Sequence, residues 1–165
     1  MEKKIKIYLD TSVINFLFSE QSLEKREITL ELFENFIKTG IYETFISDVV
    51  IAEILDTENE EKRKILFDVI SKYPIKYVDI SYSEEIVDLA NQYLDENIIP
   101  KRNQADAYHI AISIVNNIDI LISWNYKHLA NINRKRKVFS VNIRNNYFQF
   151  FDILSPPELI DYENE

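Results

Sequence analysis

Three carboxylates in this sequence stand where acid chemistry could be done. Asp10 follows the apolar run IKIYL of residues 5–9 and precedes Thr11 and Ser12, so a carboxylate and a hydroxyl meet at the end of an expected strand. Glu53 lies in SDVVIAEIL, four residues after Val49 and three after Val50, on a helix face shared with apolar neighbours. Asp106 lies in NQADAYHIAISIV, where most other positions are apolar or small and the flanking alanines would admit a close backbone or ligand. Each also has a plainer reading. Asp10 can cap the helix TSVINFLF, and Glu53 can turn to solvent beside Asp56 and Glu60. Asp106 can sit three residues beyond an Asn103 cap, where an acid favours the helix dipole.

Taken together the three acids would repel one another. Two such charges at about 4 Å cost about 4 kcal/mol at an effective dielectric of 20, so either their pKa values rise or a hard divalent cation neutralises them. Ligation by oxygen alone points to magnesium or manganese. A zinc hydrolase would want more nitrogen or sulfur ligands than His109 and His128 supply, and no HExxH string is present.

The elements that must position these acids alternate along the chain. Short β-branched runs at 5–9, 42–46, 75–80 and 118–123 predict strands, with a last one at 150–154 before Pro156 and Pro157. Helical patterns fill 12–18, 23–38, 48–56, 58–73, 83–97, 103–117 and 128–146. This alternation predicts an α/β fold, a central parallel sheet of four to five strands flanked by helices. Ligands of such sheets bind outside the carboxyl ends of the strands, which is where Asp10 falls. No repeat or linker interrupts the pattern, so residues 1–155 are expected to form a single domain, with 156–165 an acidic C-terminal tail.

Composition narrows the classes of function. The 165 residues are 46% hydrophobic and 28% charged, which fits a folded domain with a sizeable core. Cysteine is absent, which removes disulfides, thiolate metal sites and cysteine nucleophiles. The single glycine, Gly40, cannot build a Walker A loop or a GxGxxG turn. Residues 1–10 lack the apolar stretch and cleavage site of a signal peptide, and no later run approaches the roughly 20 residues of a membrane span, so no membrane partner and a cytoplasmic location are expected. A net charge of -9 argues against a broad basic nucleic-acid face. One basic run, Arg134, Lys135, Arg136 and Lys137, with Lys127 and His128 before it, is either a solvated surface or a local contact for phosphates.

The strings LDTSVI, SDVVIAEIL, ADAYHIA and ILISWNYKHLAN, in this order over residues 5–131, resemble the PIN domain family, especially the toxin nucleases of bacterial VapBC toxin–antitoxin modules. The resemblance implies a three-layer PIN-like sandwich and a metal-dependent ribonuclease that hydrolyses RNA phosphodiesters to 5′-phosphate and 3′-hydroxyl ends. It implies Asp10, Glu53 and Asp106 as ligands of Mg2+ or Mn2+, directly or through water, with Ser12 supporting the first acid. It further implies a homodimer neutralised by a cognate antitoxin protein. Where many members of the family carry a fourth aspartate, this chain has Asn125, whose amide oxygen can ligate but brings no charge. That departure leaves a second reading open, a PIN-like domain with weakened catalysis acting as a binding or regulatory module. Haloacid dehalogenase-type phosphatases want an acid at Ser12 and receiver domains want one at Thr11, so both fit poorly. His109, one turn after Asp106, is expected to be a hydrogen-bonding residue of the core or one supporting the acids from behind, rather than a general acid.

Overall fold

In the computed structural model, residues 2–78, 80, 83–125, 129 and 131–164 are described. Five strands, β1 (Lys6–Leu9), β2 (Glu43–Ser47), β3 (Ile75–Val78), β4 (Ile120–Ile122) and β5 (Asp152–Leu154), form one sheet in the order β3-β2-β1-β4-β5. Every pairing is parallel, with Tyr8 opposite Phe45 on one side and Leu121 on the other. Ile7, Tyr8 and Leu9 are wholly buried because β1 is the central strand and helices cover both faces. From β1 the chain winds outward in one direction through β2 and β3, and later in the other through β4 and β5. The switch point lies between the carboxyl ends of β1 and β4, where such folds open a crevice.

The helices are α1 (Thr11–Phe16), α2 (Leu23–Glu31), α3 (Asp48–Leu55), α4 (Glu60–Lys72), α5 (Glu84–Asp95), α6 (Gln104–Val115), α7 (Ile132–Arg144) and α8 (Pro156–Asn164). Most begin on a side-chain cap: Asp10, Ser22, Ser47, Asn59, Ser83 and Asn131 each accept a backbone N–H of the first turn. With only Gly40 available, asparagine takes over the left-handed closures, at Asn97, Asn117 and Asn146 with φ of 55°, 54° and 65°. Asn117 N donates to Ile114 O and Ile118 N to Ser113 O, the paired bonds that stop α6 and turn the chain into β4.

Two segments depart from the sequence reading. The expected helix over 23–38 widens into a π turn at Leu32–Ile37, where Lys38 N reaches back to Phe33 O. The wider turn buries Leu32, Phe33, Phe36 and Ile37 together, and Phe33 packs edge-on against Tyr73 at 4.9 Å. Residues 156–164, expected as a tail, form α8, because proline suits the first helical turn as well as it stops a preceding element. Leu159 and Ile160 of α8 are buried, and the Tyr42 hydroxyl donates to Glu163. Among the described residues no helix is long and apolar enough to cross a membrane.

Candidate active site

The carboxyl end of β1 is stitched to that of β4 through Asp10. Its backbone N–H donates to Ile122 O at 3.2 Å, which holds the first acid directly beside the end of the neighbouring strand. Its Oδ1 accepts from Ser12 N at 3.1 Å and Ser12 Oγ at 2.5 Å, and Oδ2 accepts from Ser123 Oγ. Both hydroxyls are themselves held from β4's end: Trp124 N donates to Ser12 Oγ at 3.0 Å and Asn125 N to Ser123 Oγ at 2.9 Å. Asp10 therefore caps α1 and faces the switch point at once. Burial pushes its carboxyl above the usual range; the His109 ring and the Ser12 and Ser123 hydroxyls oppose that, and Glu53 reinforces it.

Glu53 reaches the same region from α3. Its Oε1 accepts from Thr11 Oγ1 and from His109 Nε2, each at 2.8 Å. Burial raises its pKa, but the hydrogen bond and electrostatics of the His109 ring and the Thr11 bond outweigh burial and hold it below the ordinary value. His109 is buried, as expected, and its Nδ1 lies 2.7 Å from the Tyr8 hydroxyl, which is 2.6 Å from Ser47 Oγ. Burial also keeps the Tyr8 phenol well above its usual pKa, so it remains a donor.

Asp106 is the third residue of α6, but Asn103 makes no side-chain cap there. Among the described residues Asp106 has no hydrogen bond or ion pair, and it is only partly exposed. Its pKa is pushed up to about 6, first by burial, with His109 and Arg134 opposing and Asp10 and Glu53 adding to the rise. A capping role would leave the acid in water with its ordinary pKa, so capping does not account for it.

Glu53, Asp106 and Asn125 line one open cleft of about 510 Å3. Arg102 and Arg134 line it too, and neither has an ion pair among the described residues. The basic run thus divides: Arg134 faces the cleft, Lys135 pairs with Asp152 at 2.6 Å, and Arg136 and Lys137 are exposed. Lys127 and His128 lie outside the described residues.

Among the described residues no three His, Asp or Glu side chains already converge as a metal-holding group. Asp10 is engaged by two serines, and one oxygen of Glu53 by two donors. The donor set nevertheless fits a hard cation: Asp106 is a half-buried acid with no partner among the described residues, its pKa raised first by burial and further by Asp10 and Glu53, a condition a divalent ion would relieve. Sequence reasoning missed Thr11 and Ser123 as partners of the acids, Tyr8 and Ser47 as the groups behind His109, and Arg102 as a cleft residue. Only the hydroxyl beside Asp10 carried a local signal; the rest are brought in by strand order.

The PIN domain family profile matches residues 7–153. No curated protein matches the chain by sequence. Among solved structures, the chain is similar to VapBC2 from Rickettsia felis, bound to a DNA fragment from its promoter, with a TM-score of 0.55 and 13% identity over 92% of this chain and 98% of that one. It is likewise similar to VapBC-1 from nontypeable Haemophilus influenzae, with a TM-score of 0.57 and 16% identity over 93% of this chain and 99% of that one.

Proposed function

The chain belongs to the PIN domain family, and on that footing we propose that it is a Mg2+- or Mn2+-dependent endoribonuclease, the toxin of a type II toxin–antitoxin pair. The observation that carries this reading is Asp106: a half-buried acid without a partner among the described residues, its pKa raised to about 6 by burial and further by Asp10 and Glu53. Asp10, Glu53 and Asp106 would hold the cation, directly or through water, with Asn125 offering a neutral oxygen. When bound, such a cation supplies an activated water and neutralises charge on the phosphodiester. The chain's own part is to hold the acids in place. Ser12 and Ser123 orient Asp10 by hydrogen bonds, and Thr11 and His109 orient Glu53. No side chain needs to act as a covalent nucleophile. Incubating the protein with single-stranded RNA tests the reading: cleavage in manganese that stops in EDTA is expected, and cleavage indifferent to EDTA would overturn it.

Among the described residues, Arg102 and Arg134 are the cations on the cleft that could receive substrate phosphates beside the acids. Replacing both by Ala should weaken binding of a single-stranded oligoribonucleotide in EDTA. Its salt dependence should flatten by about 1.4, at roughly 0.7 for each phosphate no longer neutralised. Changing Arg136 and Lys137 to Ala should leave the slope as it was. Filter binding at several salt concentrations reads both.

Asn125 favours one second reading, a PIN domain that binds without cleaving. Asn125→Asp adds charge without changing shape, so it should tighten manganese binding by about tenfold or more, raise cleavage at low manganese and lower the melting temperature of the metal-free protein. Unchanged affinity and unchanged metal-free stability would remove Asn125 from the site.

The two VapBC likenesses support a protein partner, which we read as a cognate antitoxin covering the cleft of a homodimer. The chain's net charge of -9 favours a partner segment rich in Arg or Lys. An arginine among the carboxylates would compete with the cation.

A further inference from the structure

Five side chains from five different elements form one hydrogen-bonded chain that ends at the cleft. Ser47 ends β2, Tyr8 is in β1, His109 in α6, Glu53 in α3 and Thr11 in α1. Tyr8 and Ser47 are 0% exposed and His109 is 1% exposed. Apolar side chains of similar size would fill these positions without any need for polar partners, so three polar groups buried this deeply call for an explanation. Their bonds run in one direction. Glu53 as a carboxylate can only accept, so His109 Nε2 carries the proton in the 2.8 Å bond between them. In the neutral ring Nδ1 is then an acceptor for the Tyr8 hydroxyl at 2.7 Å. Tyr8 oxygen in turn accepts from Ser47 Oγ, which accepts from Val49 N at 3.2 Å. The polar side-chain atoms of Ser47, Tyr8 and His109 all have partners, and the chain's end is tied to the backbone of α3, the helix that carries Glu53.

The far end is asymmetric. Glu53 Oε1 takes both the His109 and the Thr11 bond, whereas Oε2 accepts from no described residue although Glu53 lines the cleft. We propose that His109 is a positioning residue for Glu53, held by Tyr8 and Ser47 so that Oε1 stays engaged and only Oε2 is presented to the cleft. This rests on the reading of Glu53 as a cation ligand. It follows that Glu53 offers a single oxygen, because two-oxygen ligation would break the bonds from His109 and Thr11. An apolar side chain without a hydrogen-bonding edge at position 109 would let the Glu53 side chain sample other rotamers and spread that oxygen's position.

The test uses the full chain with Tyr8→Phe, His109→Gln and His109→Leu. Long-range 1H–15N NMR of the metal-free protein should find a proton on His109 Nε2. An unprotonated Nε2 overturns the proposal, and this readout decides it even if the wild type neither binds manganese nor cleaves RNA, the result that would sink the proposed function instead. In manganese calorimetry His109→Leu should bind about tenfold to a hundredfold more weakly. His109→Gln, which keeps an N–H for Oε1, should recover most of that loss at a similar melting temperature. Turnover should follow metal affinity while KM for RNA holds. A folded His109→Leu protein with wild-type manganese affinity, or a His109→Gln protein no better than His109→Leu, overturns the proposal. If His109→Leu does not fold, Tyr8→Phe decides: it removes only one hydroxyl, and a manganese affinity equal to that of the wild type counts against the relay.

Discussion

Asp106→Asn should lower manganese-dependent RNA cleavage by about a thousandfold, roughly 4 kcal/mol of barrier, while making the metal-free protein more stable at neutral pH. The two effects have one cause. The folded-state pKa of Asp106, about 6, lies above the ordinary carboxylate value because burial and the neighbouring acids oppose its charge. A raised carboxyl contributes stability that is fully present below its unfolded pKa, about 4, and is lost as pH rises through about 6. Metal-free wild type should therefore lose this contribution between about pH 4 and pH 7, and the Asn variant should lack that part of the pH dependence. Partial exposure screens the effect, so the gain at pH 7 is about 1–2 kcal/mol. Millimolar manganese should invert the order, because binding to the folded state stabilises the wild type and not the variant. Thermal unfolding at pH 5 and pH 7, with and without manganese, reads all of these signs. A variant less stable than the metal-free wild type at pH 7 would mean that Asp106 is a structural cap.

The second large effect is at Asp10, where Asn and Ala should be equally inactive and unequally stable. Both remove the charge, so both should lose cleavage by about a thousandfold. Asn keeps an oxygen for the Ser12 N–H and hydroxyl, and Ser123 Oγ can accept from the new amide, so Asp10→Asn should unfold within about 1 kcal/mol of wild type. Asp10→Ala strips the acceptor from three donors in a buried turn, including the side-chain tie to Ser123, while the backbone bond to Ile122 stays; it should cost about 2–4 kcal/mol. Single-turnover cleavage beside urea denaturation separates the two roles. Asp10→Asn with residual cleavage near wild type would exclude Asp10 from the chemistry.

The sheet was legible because its strands are buried on both faces, so each one reads as a short apolar run; IKIYL could be little else in a chain alternating with helical patterns. Asp10's place at the end of that run was legible, whereas Asp106 read by itself as an acid of a helix's first turn and was singled out only by the order of the four strings. What surrounds them was not legible. Tyr8 lies 101 residues from His109 and 39 from Ser47, and each is by itself an ordinary core residue; only the strand order brings the three together. The basic run looked uniform in sequence, yet α7 carries it across two environments, with Arg134 on the cleft and Lys135 on β5. The π turn at Leu32–Ile37 was hidden for a similar reason, since the periodicity of an apolar stretch does not say how wide a turn its core partners require. At Pro156 the error was one of direction, a helix start read as a stop.

If Asp10, Glu53 and Asp106 together hold a divalent cation, calorimetric titration of the metal-free protein with manganese should show it, run on wild type, Asp10→Asn and Asp106→Asn under one buffer. Saturable binding is expected in wild type, at least about tenfold weaker in each variant. No binding at millimolar manganese, or binding that survives both substitutions unchanged, would mean that these acids do not form a cation site.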